Sequence, residues 1–393
     1  MINFKYWFLI LLFYFLSCKK AELEKTETCN ANYIDSSYKH PKNAVFKAIL
    51  DKYKKKDLPG IAVLLEDENG TWIGNAGKAD IAEGIDFKPC TVSKVASITK
   101  MMFATVVMQL REQGKVNLDD KISKWLDKEI IENVENANQA TIRDLMRHSS
   151  GIYDIISDGD FYLAVLNNPN KNWSGKDLIK FAYKKPKMTE YLANASQGDY
   201  SNTNTLLLSL VIEKITGTPH QKLMRDMVID KVGMPNTVYH HHENLPKYTA
   251  QGYYDLYNNG SMINVSNLVT GSGNGYGGIY SNVLDLHTFI KALFIEKRLV
   301  SQQSLDLMQT IITDDERGNL GIGLLQQYIH LNLGHLGMGH SGRDLGYSGD
   351  AHYFPTKNNR IFINLVNYGT NGNTPLRQVF YDMRDEFVTE LLK

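Results

Sequence analysis

Apolar residues change their spacing several times along this chain, and each change marks a boundary. An unbroken apolar run from Tyr6 to Leu16 comes first, followed by a polar stretch over residues 19–42 without any periodicity. From Ala44 to Tyr53 apolar positions recur every three or four residues, the pattern of a helix with one buried face. GIAVLLE (60–66) and TWIGNAG (71–77) then flank Asp67-Glu68-Asn69-Gly70, which predicts a β-hairpin with Asn-Gly in its turn. Residues 91–313 read as mostly helical. Thr141 caps IRDLMRHSS, Asn204 begins TLLLSLVIEKITG, and VLDLHTFIKALFIEK (283–297) keeps a helical period. After residue 318 strand-like segments return as LGIGLLQQYIHL, LGMGHSG, GYSGDAHYF and RIFINLVNY, and PLRQVFYDMRDEFVTELLK closes the chain as an amphipathic helix.

This order predicts an α+β fold: an antiparallel sheet formed from both ends of the chain, flanked by helices, with an inserted, mostly helical lobe. Residues 43–393 then form one unit, its α/β lobe at about 43–115 and 275–393 and its helical lobe at about 116–274. A cleft between the lobes is the natural ligand site. No fixed-period repeat is present.

Composition narrows the class. Apolar residues make up 43% of 393, enough for a core that needs neither disulfides nor metal. Lys+Arg and Asp+Glu each number 43, so no cationic excess exists to neutralise a phosphate backbone, and nucleic acid is not an expected partner.

The N-terminus reads as an address. Lys5 precedes the Tyr6–Leu16 run, which at about 11 residues is short for a membrane span and normal for a signal-peptide core. Ser17-Cys18 follows, and the junction resembles a bacterial lipoprotein cleavage box with a bulky Phe15 upstream. On this reading residues 1–17 are removed, and Cys18 is lipidated and anchors the protein in the cell envelope, periplasmic or outer-membrane associated. Residues 18–42 form a flexible tether. Cys29 and Cys90 remain; they could pair in an oxidising compartment, but one lies in the tether and nothing fixes their separation.

Three short elements carry candidate chemistry. Ser97-Ile98-Thr99-Lys100 opens a helix that ends at Gly114, with Ser97 and Lys100 on one face. Its apolar neighbours cover more than one face, and a buried lysine is drawn towards the neutral amine that can activate a serine hydroxyl. Tyr200-Ser201-Asn202 supplies a phenol able to shuttle a proton and an amide able to orient Lys100 or a substrate amide. His340-Ser341-Gly342 leads into a strand whose edge can pair with a peptide-like substrate, Gly342 permitting close approach. The backbone N–H groups of Ser97 and Arg343 would form an oxyanion hole.

Taken together and in order, these elements resemble the penicillin-recognising serine hydrolases, in the branch of class C β-lactamases, D-alanyl-D-alanine carboxypeptidases, and related esterases and D-aminopeptidases. FKPCTVSKVASITKMMFATVVMQLREQGKVNLDDKISKWL (87–126), LMRHSSGI (145–152), YSNTNTLLLSLVIEKITG (200–217), VGMPNT (232–237) and GGIYSNVLDLHTFI (277–290) extend the resemblance over residues 43–390. The resemblance implies that Ser97 is the acylating nucleophile, Lys100 its activator and Tyr200 the general base and acid. It gives Asn202 the positioning of substrate and Lys100, and His340 the electrostatics around Tyr200. Ser341, Gly342 and Arg343 join the substrate-binding residues. No cofactor or metal is implied. The expected partners are a small peptide, ester or β-lactam substrate and, through the anchor, a membrane.

Two departures stand out. MTEYLANASQGD before Tyr200 lacks the usual Pro-Gly turn, and Arg343-Asp344 follow the triplet where small residues are usual. Arg343 narrows the site, pairs with a substrate carboxylate, or faces solvent. His240-His241-His242 cannot all point one way and reads as a polar loop; His148 reads as local packing. The favoured activity is a D-Ala-D-Ala carboxypeptidase, against a β-lactamase, carboxylesterase or D-amino-acid amidase, or a non-catalytic penicillin-binding sensor. Choice among them lies in cleft loops at 155–199 and 240–276.

Overall fold

The computed structural model describes residues 24–30, 33–169, 171–255, 257, 259–268, 270–271, 273–314, 318–369, 372 and 374–393. Helix α1 (Asn43–Lys54) precedes strands β1 (Gly60–Asp67), β2 (Gly70–Asp80), β3 (Ile85–Asp86) and β4 (Ser93–Lys94). Helix α2 (Ile98–Glu112) enters the helical lobe, which holds α3 (Lys128–Asn133), α4 (Ile142–Met146), α5 (Gly159–Asn167), α6 (Gly175–Leu178), α7 (Asn202–Thr216), α8 (His220–Met224) and α9 (Asp230–Val232). Short strands β5 (Val238–Tyr239), β6 (Tyr253–Tyr254), β7 (Ile263–Asn264) and β8 (Ile279–Ser281) lead to α10 (Val283–Ile290) and α11 (Gln302–Met308). The chain closes with β9 (Asn319–Leu320), β10 (Leu325–Gln327), β11 (Gly337–Asp344), β12 (Tyr347–Phe354), β13 (Arg360–Val366) and α12 (Pro375–Leu392).

The main sheet is antiparallel, in the order β3-β2-β1-β13-β12-β11-β10-β9, so both ends of the chain build it as expected. Its centre explains the unbroken apolar run of β1. Ile61, Val63 and Leu65 point into one core with Phe362 and Val366, while Ala62 and Leu64 point into the other with Ile361, Ile363 and Leu365. Both faces are covered, so the strand does not alternate with polar residues. α1 and α12 cover the first face through Phe46 and Phe387, which pack on Trp72 of β2, and α2 and α10 cover the second. The β1–β2 turn brings Asp67 opposite Gly70, whose φ of 112° suits glycine.

The middle of the chain is less helical than its pattern predicts. β5 pairs with β8 and β8 with β4, so a small three-stranded sheet joins the segment before Ser97 to residues 238–239 and 279–281. Strands of two or three residues are too short to show a period. The helix after Tyr200 begins at Asn202, two residues before the expected start, and stops at left-handed Gly217.

The proposed tether is corrected over its described part. Residues 24–30 form a strap against the domain: Thr26 N donates to Asp80 Oδ2 (3.3 Å), Thr26 Oγ1 to Thr249 O (2.7 Å), Glu27 N to Lys247 O (2.8 Å) and Gln251 Nε2 to Glu24 O (2.7 Å). Cys29 is bonded to Cys90 across 61 positions, which settles the pairing the sequence left open. Further on, Ser37 hydrogen-bonds Ile73 in β2 through both N and O, and His40 Nε2 meets Asp67 at 3.1 Å. Backbone groups of residues 24–27 and single polar side chains of Thr26, Ser37 and His40 hold this stretch, and such bonding leaves no hydrophobic period to read. The signal segment and Cys18 lie outside the described residues.

Glu66 at the end of β1 ties the sheet to α10 through His287 and to Lys291 Nζ at 3.1 Å. Burial works to raise its pKa, but bonding and charge from His287 and Lys291 outweigh this and hold the carboxyl at about 2. A depressed folded-state pKa adds stability that is complete above the ordinary carboxyl value and is lost as pH falls through the folded one. Acid unfolding should therefore show a loss of about 2 kcal/mol from this group between roughly pH 4.5 and pH 2, allowing for its partial exposure. Glu66→Gln should flatten that limb in urea titrations taken across the range.

Candidate active site

Ser97 caps α2 without making a side-chain cap bond, so its hydroxyl is not spent on the helix. Ala96 before it has φ of +48°, a left-handed conformation costly for a residue with a Cβ, and this turn aims Ser97 at the cleft. One helical turn on, Lys100 is 2% exposed. Its Nζ lies 2.9 Å from Ser97 Oγ, 2.7 Å from Asn202 Oδ1 and 2.7 Å from the carbonyl oxygen of Tyr276. Two of these partners are acceptors only, and they take two N–H bonds. The remaining position faces Ser97: a lone pair for the serine proton in the amine, a third N–H in the ammonium.

Asp154, buried at the start of the 155–157 turn, decides how Asn202 sits. It accepts from Asn202 N (3.0 Å) and Asn202 Nδ2 (3.1 Å). Since a carboxylate can only accept, Nδ2 must face it and Oδ1 must face Lys100. Tyr200 stacks on His148 with centroids 4.2 Å apart, sits 6.1 Å from the His340 ring, and has Lys100 Nζ 5.1 Å from its centre. His148 Nδ1 meets Ser201 N at 3.2 Å and Asn204 Nδ2 at 3.3 Å, so this ring fixes the Tyr200 turn and is closer to the chemistry than local packing implies. His340 Nδ1 donates to Ser341 O at 2.6 Å, which leaves Nε2 of a neutral ring as the acceptor.

β11 brings the third element alongside. A Cβ on Gly342 would come within 2.0 Å of Val95 O and 3.2 Å of Ser97 N, so only glycine lets this backbone lie against the nucleophile's amide. Strand alternation turns Ser341 and Arg343 to the other face. The Ser341 hydroxyl reaches the carboxylate of Asp350 and the side chain of Gln327, and Ser341 lines the cleft with Gln327 and Arg343. Asp350 is fully enclosed; burial would raise its pKa, but Arg384, His352, Arg343 and the Ser341 bond hold it below the ordinary value. Arg343 is partly buried in the wall of the cleft. Its guanidinium lies 4.5 Å from the Tyr381 ring centre, its Nε has no hydrogen-bond partner, and burial lowers its pKa.

A cleft of about 1190 Å³ joins these groups, lined by Ser97, Asp154, Tyr200, Asn202, His340 and Arg343 among others. The structure brings Ser97, Lys100, Tyr200, Asn202, His340 and Gly342 together. Sequence reasoning missed Asp154, His148 and the Tyr276 carbonyl. Among the described residues no group of three or more His, Cys, Asp or Glu converges as a metal site.

With this geometry in view, the likenesses to known proteins take on chemical content. The family model described as Beta-lactamase matches residues 44–378, and the chain belongs to that family. Its nucleophile geometry makes it a serine hydrolase. The teichoic acid D-alanine hydrolase of Staphylococcus aureus is 25% identical over 61% of this chain and 56% of its own length. A D-stereospecific amidohydrolase from Streptomyces sp. is 27% identical with a TM-score of 0.74, covering 86% of this chain and 98% of that one. The penicillin binding protein from Bacillus halodurans shares the fold, with a TM-score of 0.71 at 24% identity and coverage of 86% and 98%. The chain spans less than two thirds of the length of the curated relatives.

Asp154→Ala frees Asn202 to rotate and withdraws Oδ1 from Lys100. Turnover should fall by about ten- to a hundredfold, measured as kcat on a chromogenic ester, and the melting temperature should fall too, because Asn202 N and Ile156 N lose a buried acceptor.

Proposed function

We propose that this protein is a D-alanyl-D-alanine carboxypeptidase-like hydrolase of the cell envelope, lipidated at Cys18. The Ser97–Lys100 pair supports acyl transfer. Ser97 Oγ attacks the peptide carbonyl as its proton passes to the Lys100–Tyr200 pair. The tetrahedral oxyanion is met by the amides of Ser97 and Arg343, and collapse expels the D-alanine amine carrying that proton. Water then repeats the attack, releasing the shortened peptide acid and restoring Ser97.

The observation that carries the substrate class is the cationic wall beyond β11. Arg343, Arg377 and Arg384 line the cleft there beside Asp344 and Asp385; Arg384 pairs with Asp385 and with Asp350, and Asp344 pairs with Lys94. A free C-terminal carboxylate would meet the under-neutralised Arg343. A second reading, a D-amino-acid amide or ester hydrolase, is favoured by the likeness to the Streptomyces amidohydrolase.

The anchoring reading draws on the Ser17-Cys18 junction. With residues 24–30 strapped to the domain, residues 19–23 alone would separate the lipid from the fold, so the domain would sit close to the membrane.

The test is release of D-alanine from diacetyl-L-Lys-D-Ala-D-Ala and of D-alanine amide from its C-terminal amide. The proposal expects hydrolysis of the acid, a KM raised about tenfold by Arg343→Gln with kcat within threefold, and no such change for the amide. Release from D-alanine amide or a D-alanyl ester, with the peptide acid untouched, would establish the second reading instead.

A further inference from the structure

The loop that offers Tyr276 O to Lys100 is held from behind by a hydrogen-bond chain remote from the cleft. Gly275 N donates to Tyr239 Oη at 2.9 Å, Tyr239 Oη lies 3.1 Å from His220 Nε2, and His220 Nδ1 lies 2.6 Å from Glu213 Oε1. With His220 neutral, one arrangement of protons satisfies every link. The carboxylate accepts, so His220 carries its proton on Nδ1; Nε2 is then an acceptor and takes the Tyr239 proton; the phenol oxygen is left to accept from Gly275. Each donor points the same way, from the loop towards Glu213 on α7.

The parts of this chain are buried where it matters. Tyr239 is 1% exposed and His220 5% exposed, and the His220 ring also packs edge-on against Phe103 of α2, the helix that carries Lys100. Gly275 has φ of +92°, and a Cβ there would lie 2.6 Å from Thr205 O, so the loop has no alternative path past α7. The triple-histidine segment contributes as well. His242 Nε2 donates to Gly273 O at 3.1 Å, and His240 N donates to Gly278 O at 2.8 Å, so residues 273–278 are pinned at both ends and in the middle. The Gly275 amide and the Tyr276 carbonyl lie in peptide planes with one plane between them, so the bonds at Gly273, Gly275 and Gly278 together confine the few dihedrals that set where that carbonyl points.

We infer that Tyr239, backed by His220 and Glu213, is a positioning residue for catalysis: it holds the 273–278 loop so that the Tyr276 carbonyl stays on Lys100 Nζ and turns the remaining lysine position to Ser97. The inference rests on Ser97 being the nucleophile and is independent of which acyl group the enzyme prefers. Removing the phenol oxygen leaves Gly275 N–H buried without an acceptor, and the loop relaxes away from Lys100. The fault lies behind the nucleophile, so it slows bond formation without changing the cleft that receives the reagent.

The experiment follows inactivation of the whole enzyme by an alkyl fluorophosphonate, resolving the limiting rate kinact from the half-saturating concentration KI, with thermal melts to establish folding. Tyr239→Phe should lower kinact at least fivefold and leave KI within twofold. A fall in kinact smaller than fivefold, or a KI that rises by twofold or more, would overturn the inference, since a general loosening of the lobe would disturb both. Should Tyr239→Phe not fold, His220→Gln removes the ring that takes the Tyr239 proton at similar bulk, and it is read the same way with a threshold of threefold. Absence of any labelling of the wild-type chain would overturn both the inference and the serine chemistry beneath it. Failure of the D-alanine peptide assay alone would leave it standing.

Discussion

A lysine side chain that is 2% exposed has lost nearly all its water, and the site depends on how that loss is made good. Each replacement comes from a different part of the chain. Ser97 comes from the start of the same helix, Asn202 from the first turn of α7, and the Tyr276 carbonyl from a loop 176 positions away. None of the three would suffice alone, and the lobes must close around Lys100 for all of them to arrive. The cleft between the lobes is a consequence of that convergence.

Behind each partner stands a second group that removes its freedom. Asp154 fixes which end of the Asn202 amide meets the lysine, His148 holds the Tyr200 turn, and the small sheet of β4, β8 and β5 ties the segment before Ser97 to the strand that follows the Tyr276 loop. On the other face of β11, a buried set of Asp350, Arg384 and Ser341 steadies the strand whose glycine lies against the nucleophile. The strap and its disulfide brace the residues just upstream, since Cys90 sits between β3 and β4. Covalent and hydrogen-bonded restraint therefore converges on the few residues before Ser97.

Much of this was legible in the chain. Ser97 and Lys100 could be paired because a helix start and a three-residue spacing leave little choice, and β1, β13 and α12 announced themselves by apolar pattern. The missed groups share a physical reason. Tyr276 acts through a carbonyl that any residue could supply, Asp154 looks like any turn aspartate until Asn202 is folded beside it, and the strap is held by backbone bonds that impose no pattern. Cys29 and Cys90, 61 positions apart, could be paired only by seeing the strap laid down.

The most direct measurement is a peptide-mapped mass spectrum of the protein after reaction with an alkyl fluorophosphonate, for wild type, Ser97→Ala and Lys100→Ala. The account predicts one adduct, on Ser97, absent from Ser97→Ala and formed at least a hundredfold more slowly in Lys100→Ala. An adduct on another residue, or a Lys100→Ala chain that labels at the wild-type rate, would contradict it.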